Sequence, residues 1–304
     1  MTPPERSARR PLDAVALARV QQRLQRADTA PWLHGEVARR MADRLPVIKL
    51  QPACIIEWGA FLGTSRALLG AAYPRARILA TEQQAWRRDA TAAGLVTPWW
   101  SARRWGAAPP AAVTEAELGP TQGQLLWSNM GLHGAIDPQA VMAAWHRALQ
   151  VDGFLMFSTL GPGSLEGLRR LYAAMGWPPP HAPFVDMHDL GDMLVEAGFA
   201  DPVMDQETIT LTWPSGEALL DELRQIGGNV DPRRFAGLRT PRWRRRLAAA
   251  LEAGAGPDGR PRLVLELVYG HAFRAAPRPR LAPETALPLD DMRSMVRAGR
   301  RRRA

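Results

Sequence analysis

The sequence predicts an α/β fold around a seven-stranded, largely parallel sheet whose seventh strand runs antiparallel. Three observations lead there. A strand, a glycine turn, a helix and a second strand follow one another between residues 53 and 82. Further strand and helix patterns then alternate. Finally, two runs of period two, near 207–213 and 262–271, replace that alternation. Alternating strands and helices call for parallel pairing through right-handed crossovers, and the closing pair of strands reads as antiparallel.

The elements follow in order. Residues 1–11 read as a disordered leader, and 12–274 as the folded domain, with two amphipathic helices in 12–50. The first helix starts at Asp13, an N-cap type, with Val15, Leu17, Val20 and Leu24 at helical spacing. The second covers about Pro31 to Leu45 and aligns Trp32, Leu33, Val37, Met41 and Leu45. The first strand is Ala53 to Glu57, and a helix from about Thr64 to Ala72 leads to the second, Arg77 to Thr81. A weak third strand is placed near Gly94 to Pro98, a clear fourth at Leu125 to Asn129 and a fifth at Phe154 to Thr159. His188-Asp189 reads as a helix cap. Residues 214–261 are helical and arginine-rich. An insertion this long between the last two strands reads as a substrate lid. The basic stretch 275–304 reads as a mobile tail.

Composition narrows the function. Of the 304 residues, 46% are hydrophobic, enough for a sizeable core, and no apolar run nears the roughly 20 residues of a membrane span. The N-terminus lacks the apolar centre of a signal peptide, so a cytoplasmic location with no membrane partner is expected. The single cysteine, Cys54, lies inside the first strand and shares no metal-ligand spacing with the six histidines, so neither a disulfide nor a metal site is expected. The net charge is +9, and Lys49 is the sole lysine. Arginines crowd 233–246 and 300–303, which favours an anionic partner; the rival reading is a solvated arginine-rich surface.

The turn Glu57-Trp58-Gly59-Ala60-Phe61-Leu62-Gly63 carries the chemistry. Glycines there let a backbone approach a dinucleotide or adenosyl ligand, and a carboxylate after the second strand, Glu82, can bind both ribose hydroxyls. Phe61 stands where a further glycine is expected. Asn129 ends the fourth strand, where open α/β sheets place their active sites. No serine lies in a G-x-S-x-G setting, which sets an esterase aside.

From residue 125 onward the motifs become specific. Ser128-Asn129, the turn Phe157-Ser158-Thr159-Leu160-Gly161-Pro162-Gly163, Met187-His188-Asp189-Leu190-Gly191-Asp192, LRQIGGN at 223–229 and LELVYGHAF at 265–273 occur in this order. Over about residues 125–273 the chain resembles the biotin-pathway malonyl-carrier-protein O-methyltransferases, members of the class I S-adenosylmethionine-dependent enzymes. The resemblance implies a Rossmann-like class I methyltransferase fold and S-adenosyl-L-methionine as cofactor. It also implies methyl transfer to the carboxylate of a malonyl thioester and an acyl carrier protein as partner. Cofactor-binding candidates are Glu57, Gly59, Gly63, Glu82 and Asn129. Substrate-binding candidates are His133, His181, Arg224 and Tyr269, with Arg224 assigned to the malonyl carboxylate because a guanidinium can bind it bidentately. That carboxylate is ionised at neutral pH, since such groups titrate at roughly 3–4. No catalytic base is needed, and none is assigned.

The departures gather at the cofactor: Phe61, the carboxylate-free stretch Thr97-Pro98-Trp99-Trp100-Ser101 where the family carries an acid that meets adenine, and Gln124 before the fourth strand. Two readings stay open: an active methyltransferase, or an inactive relative that retains its acidic-partner surface. A nucleic-acid role, suggested by the arginine tail alone, ranks last.

Overall fold

The computed structural model describes residues 9–95 and 111–276. The N-terminal helices are α1 (Ala14–Gln25) and α2 (Trp32–Ala42). Asp13 caps α1 by accepting the Ala16 N–H at 2.9 Å. Then come β1 (Cys54–Trp58), the single turn α3 (Ala60–Gly63), α4 (Arg66–Ala72), β2 (Arg77–Glu82) and α5 (Ala85–Gly94). After them lie β3 (Ala111–Thr114), β4 (Gly123–Ser128), α6 (Pro138–Ala148), β5 (Leu149–Leu160), α7 (Glu166–Ala174) and α8 (Met187–Glu196). The chain closes with β6 (Ala200–Thr212), α9 (Gly216–Ile226), α10 (Pro241–Ala253) and β7 (Arg262–Phe273).

The sheet has seven strands in the order β3-β2-β1-β4-β5-β7-β6. Strands β1 to β5 pair in parallel, and β7 runs antiparallel to both β5 and β6. The strand order reverses between β1 and β4. An open α/β sheet binds its ligands in the crevice at such a reversal, beyond the carboxyl ends of its strands.

Side chains alternate across the sheet with period two. Ile55, Leu125, Trp127, Phe154, Leu265, Leu267 and Tyr269 pack on the face that meets α2, against Leu33, Val37 and Met41. Ile56, Leu126, Leu155, Phe157 and Val268 pack on the other face, against Met142, Trp145, Leu190 and Leu194 of α6 and α8. A third cluster seats the insertion: Leu219, Leu247 and Leu251 of α9 and α10 meet Leu168, Trp213 and Leu263.

Three local readings change. The third strand lies at 111–114; Gly94 and Leu95 end α5, and 96–98 fall outside the described residues. This strand is four half-buried edge residues, Ala-Ala-Val-Thr, too short and alanine-rich to stand out as a periodic pattern. The cap of α8 is Asp186, whose carboxylate accepts the His188 N–H at 2.8 Å, rather than His188-Asp189. Arg10, inside the segment read as leader, is pinned: its N–H donates to the Ile136 carbonyl at 2.7 Å. Residues 1–8 of the leader, Thr97–Ser101 and the tail beyond 276 lie outside the described residues. Among the described residues no helix is long and apolar enough to cross a membrane.

Candidate functional site

A cavity of about 1080 Å³ opens at the carboxyl ends of β1 and β4 and runs beneath α1 and the α9–α10 insertion. That is near the upper end for small-ligand sites, room enough for two ligands side by side. Its sheet end is lined by Trp58, Gly59, Gln83, Glu115, Ser128 and Asn129. Its insertion end is lined by Arg10, His133, His181, Phe184, Leu223 and Arg224. Met130 (φ 53°) and Leu165 (φ 58°) also face it, both held in the left-handed region that strained functional sites tend to contain.

The glycine turn is an anchored loop. Gly59 takes φ +67°, and a Cβ there would meet nothing within 4 Å, so the backbone stands open to the cavity. Glu57 is fully buried and points away from the cavity wall. It accepts the Ser65 N–H at 3.2 Å and faces Arg66 at 3.5 Å. Burial pushes its carboxyl up to about 7, against the pull of Arg66 and the Ser65 N–H. Glu82 is buried beneath the turn. One of its carboxylate oxygens accepts both the Phe61 N–H (2.9 Å) and the Thr91 hydroxyl (2.8 Å). Burial raises its pKa while those two bonds lower it. The Phe61 ring is not a cavity wall; the Arg87 guanidinium covers it 3.8 Å from the ring centre.

Asn129 ties the turn to its neighbours. Its amide donates to the carbonyls of His34 (2.7 Å) and Gly63 (2.9 Å), and its oxygen accepts the Ser158 hydroxyl at 2.6 Å. Gly63 is packed behind this clamp, away from the cavity.

The relocated third strand supplies a carboxylate absent from the sequence reading. Glu115 directly follows β3 and lines the cavity. Burial, reinforced by Glu82, pushes it up to about 7. Its half-buried carboxylate makes no hydrogen bond or ion pair among the described residues and stands open to the cavity, and the buried Ser128 hydroxyl beside it is unpaired. Unsatisfied polar groups of this kind around an open glycine backbone fit a nucleoside-type ligand, whose hydroxyls and amines would satisfy them. Sequence periodicity missed Glu115 because it missed the strand that carries it. Gln124 instead accepts the Ala53 N–H at 2.5 Å and staples the base of the sheet.

Of the substrate candidates, His133, His181 and Arg224 line the cavity and Tyr269 does not. Tyr269 lies on the α2 face of β7, beneath Arg44 (3.9 Å from the ring centre), and donates to Glu207 at 2.5 Å. His133 is held neutral, lowered to about 3 by burial and by nearby His34 and Arg10. His181 stacks on Phe184 with centroids 5.2 Å apart, and its Nδ1–H donates to the Ala182 carbonyl at 2.8 Å. His34, unassigned from sequence, is buried in α2 and bonds the Leu62 carbonyl through Nδ1 at 2.8 Å. In His34 and His181 the carbonyl fixes the proton on Nδ1, which leaves an unpaired Nε2 lone pair on each. Arg224 is exposed at the mouth.

The insertion's arginines divide into two groups. Arg244 pairs with Glu217 (2.6 Å) and Asp221 (2.8 Å), Arg234 with Asp13 (2.6 Å) and Arg233 with Asp231 (3.2 Å). Arg242 and Arg245 have no partner among the described residues, and Arg246 meets only Met175 and the Trp177 ring. Phe235 and Leu238 of the same insertion are exposed, Leu238 by 96%.

No family model matches the chain. Among curated proteins it is 38% identical over 278 residues to the malonyl-[acyl-carrier protein] O-methyltransferase of Laribacter hongkongensis, covering 88% of this chain and 90% of the relative. It is 36% identical over 261 residues to the protein of that name from Gallionella capsiferriformans (83% and 87% covered). With the Halorhodospira halophila protein, also so named, it shares 33% over 305 residues (98% and 96% covered). Among solved structures, the YcgJ protein of Bacillus subtilis superposes with a TM-score of 0.53 at 8% identity, covering 80% of this chain and all of that one. A candidate methyltransferase of Bacillus halodurans superposes at 0.51 with 12% identity, covering 78% and 100%. These two likenesses are of fold.

Proposed function

Because the chain belongs to the malonyl-[acyl-carrier protein] O-methyltransferase family, we propose that it methylates the free carboxylate of a malonyl thioester on an acyl carrier protein, in biotin synthesis, with S-adenosyl-L-methionine as donor. The observation that carries this reading is the two-ended cavity. An open glycine backbone and unpaired Glu115 and Ser128 lie at its sheet end, and it continues under a basic insertion. The donor, when bound, supplies a methyl group on a sulfonium. Gly59, Gln83 and Glu115 are the residues that would hold it, with Asn129 bracing the turn beside them.

The chain's own contribution is positioning and exclusion of water. The acceptor carboxylate is already ionised, so no proton has to be removed. Trp58, Leu132, Phe184 and Leu223 wall the cavity with apolar surface, which strips water from the carboxylate and confines it to an in-line approach. Tyr269 and Glu57 have their polar atoms engaged elsewhere and act as supports.

The inactive alternative rested on Phe61 and on a missing acid. Phe61 packs under Arg87 outside the cavity, and Glu115 follows the third strand, so both premises lose their support. The basic insertion favours the acidic carrier as partner: Arg242, Arg245 and Arg246 are free to meet its charges and steer association. The deciding experiment combines calorimetric titration of S-adenosylhomocysteine with methyl transfer from labelled donor to malonyl-carrier protein. Binding together with ester formation is expected; a purified, folded protein that shows neither refutes the reading.

A further inference from the structure

Among the described residues five arginines line the cavity: Arg10, Arg23, Arg224, Arg239 and Arg244. Arg244 is neutralised by Glu217 and Asp221. Arg239 lies flat between the rings of Phe235 (3.9 Å) and Trp243 (4.4 Å). Arg23 donates to the carbonyls of Arg224 and Gly227 at the rim, and Arg224 is exposed beside it. Arg10 differs from all of these. Its guanidinium lies inside the cavity, where it donates to the backbone carbonyls of His133, Ala135 (3.5 Å) and Pro183 (2.6 Å). Three carbonyls take three of its five N–H donors. No carboxylate faces it among the described residues. Asp137, an acid in the wall, caps α6 through the Ala140 N–H at 2.8 Å and looks toward Arg9 at 3.9 Å. Burial alone lowers Arg10, to about 10, with no neighbouring anion to raise it.

A half-buried guanidinium on a cavity wall, with spare donors and no counter-charge, is an anion site. We propose that Arg10 is the substrate-binding residue that receives the acceptor's carboxylate, in place of the exposed Arg224. The assignment rests on the proposed methyltransferase reading. Carbonyls on three sides hold the guanidinium still, so one carboxylate oxygen can be fixed while the other faces the donor. Reaction forms a C–O bond to the transferred methyl and breaks its C–S bond, leaving a neutral ester and a neutral thioether. No proton moves. The ester has lost the charge that Arg10 holds, so the same residue selects malonyl over uncharged acyl groups and lets the product go.

The test is calorimetry at saturating S-adenosylhomocysteine, with malonyl-coenzyme A and its methyl ester as probes, on wild type, Arg10→Met and Arg10→Lys. In the wild type malonyl-coenzyme A is expected to bind at least tenfold tighter than the ester. In Arg10→Met the malonyl affinity should fall about tenfold or more, the ester affinity should stay, and the ratio should approach one. Arg10→Lys should keep part of the ratio and carries the test if the methionine variant shows no melting transition. Affinity for S-adenosylhomocysteine should stay within about twofold. A ratio unchanged in the variants overturns the assignment. So does a tenfold loss of S-adenosylhomocysteine binding with the ratio intact, which would give Arg10 to the cofactor's own carboxylate. A wild type that binds neither probe nor S-adenosylhomocysteine overturns the methyltransferase reading and the assignment with it.

Discussion

Glu82 accepts the Phe61 backbone N–H at 2.9 Å and, through the same oxygen, the Thr91 hydroxyl at 2.8 Å. The acid that ends the second strand is thus tied to the residue that replaces a glycine in the turn. The bond requires only Phe61's backbone, and its ring leaves the cavity to stack beneath Arg87 at 3.8 Å.

Phe61→Gly is therefore expected to reduce stability without improving ligand binding. The ring–guanidinium contact is worth roughly 0.5–1 kcal/mol, and glycine in the short helix costs about 1 kcal/mol more. The melting temperature should drop by a few degrees, and S-adenosylhomocysteine affinity should stay within about twofold. A tenfold gain in affinity would mean that the ring obstructs the site.

Glu115→Ala is expected to weaken S-adenosylhomocysteine binding about tenfold, the scale of one lost hydrogen bond to a charged or buried group of roughly 1–3 kcal/mol. Glu117→Ala is the control: Glu117 is exposed, accepts the Thr114 N–H at 2.8 Å and pairs with Arg88, outside the cavity. Equal losses in both variants would point to damage to β3 rather than to a ligand contact.

Glu57 makes stability depend on pH. Burial raises its folded pKa from 4.5 to about 7, so between those values the folded state binds more protons than the unfolded one. Its contribution is then unfavourable to the ionised folded state: stability falls as pH rises from about 4.5 to 7 and levels off above. Glu57→Gln keeps an oxygen for the Ser65 N–H and removes the titration. Compared with wild type, it should gain more stability at pH 8 than at pH 5, by a few kcal/mol at most (~1.4 kcal/mol per pKa unit). A gain independent of pH would assign the dependence to other groups, Glu115 first.

Carrier docking should follow the unpaired arginines. Changing Arg242, Arg245 and Arg246 to serine is expected to weaken binding to malonyl-carrier protein at low salt and to flatten its salt dependence. Arg244→Ser alone should act mainly through the lost Glu217 and Asp221 pairs and lower thermal stability. Deletion of Arg300–Arg303, outside the described residues, is the control for generic positive charge. If the triple variant binds as wild type does, the docking surface lies elsewhere.

The sheet and its order of elements were legible because they rest on local patterns. Period two along 207–213 and 262–271 marked the closing strands, and apolar spacing marked α1 and α2. The residues 263, 265 and 267 were known from the sequence to share a face, and Tyr269 continues that row. What local pattern cannot state is what that face meets. Only the packing of α2 over the sheet set Tyr269 beneath Arg44, away from the cavity. The same holds for the acids. The sequence set Glu57 and Glu82 at strand ends, but nonlocal contacts with Ser65 and Arg66 took both oxygens of Glu57, and Phe61 and Thr91 took one oxygen of Glu82. Glu115 and Arg10 were the reverse case. A four-residue edge strand and a segment ahead of the first helix carry no periodic signal, and both side chains became prominent only when the chain folded around them. The sequence by itself determined the succession of strands and helices, the turn and the family motifs, which depend on residues near in the chain. The tertiary structure alone decided which charges stay unpaired, because pairing depends on distances between residues far apart in it.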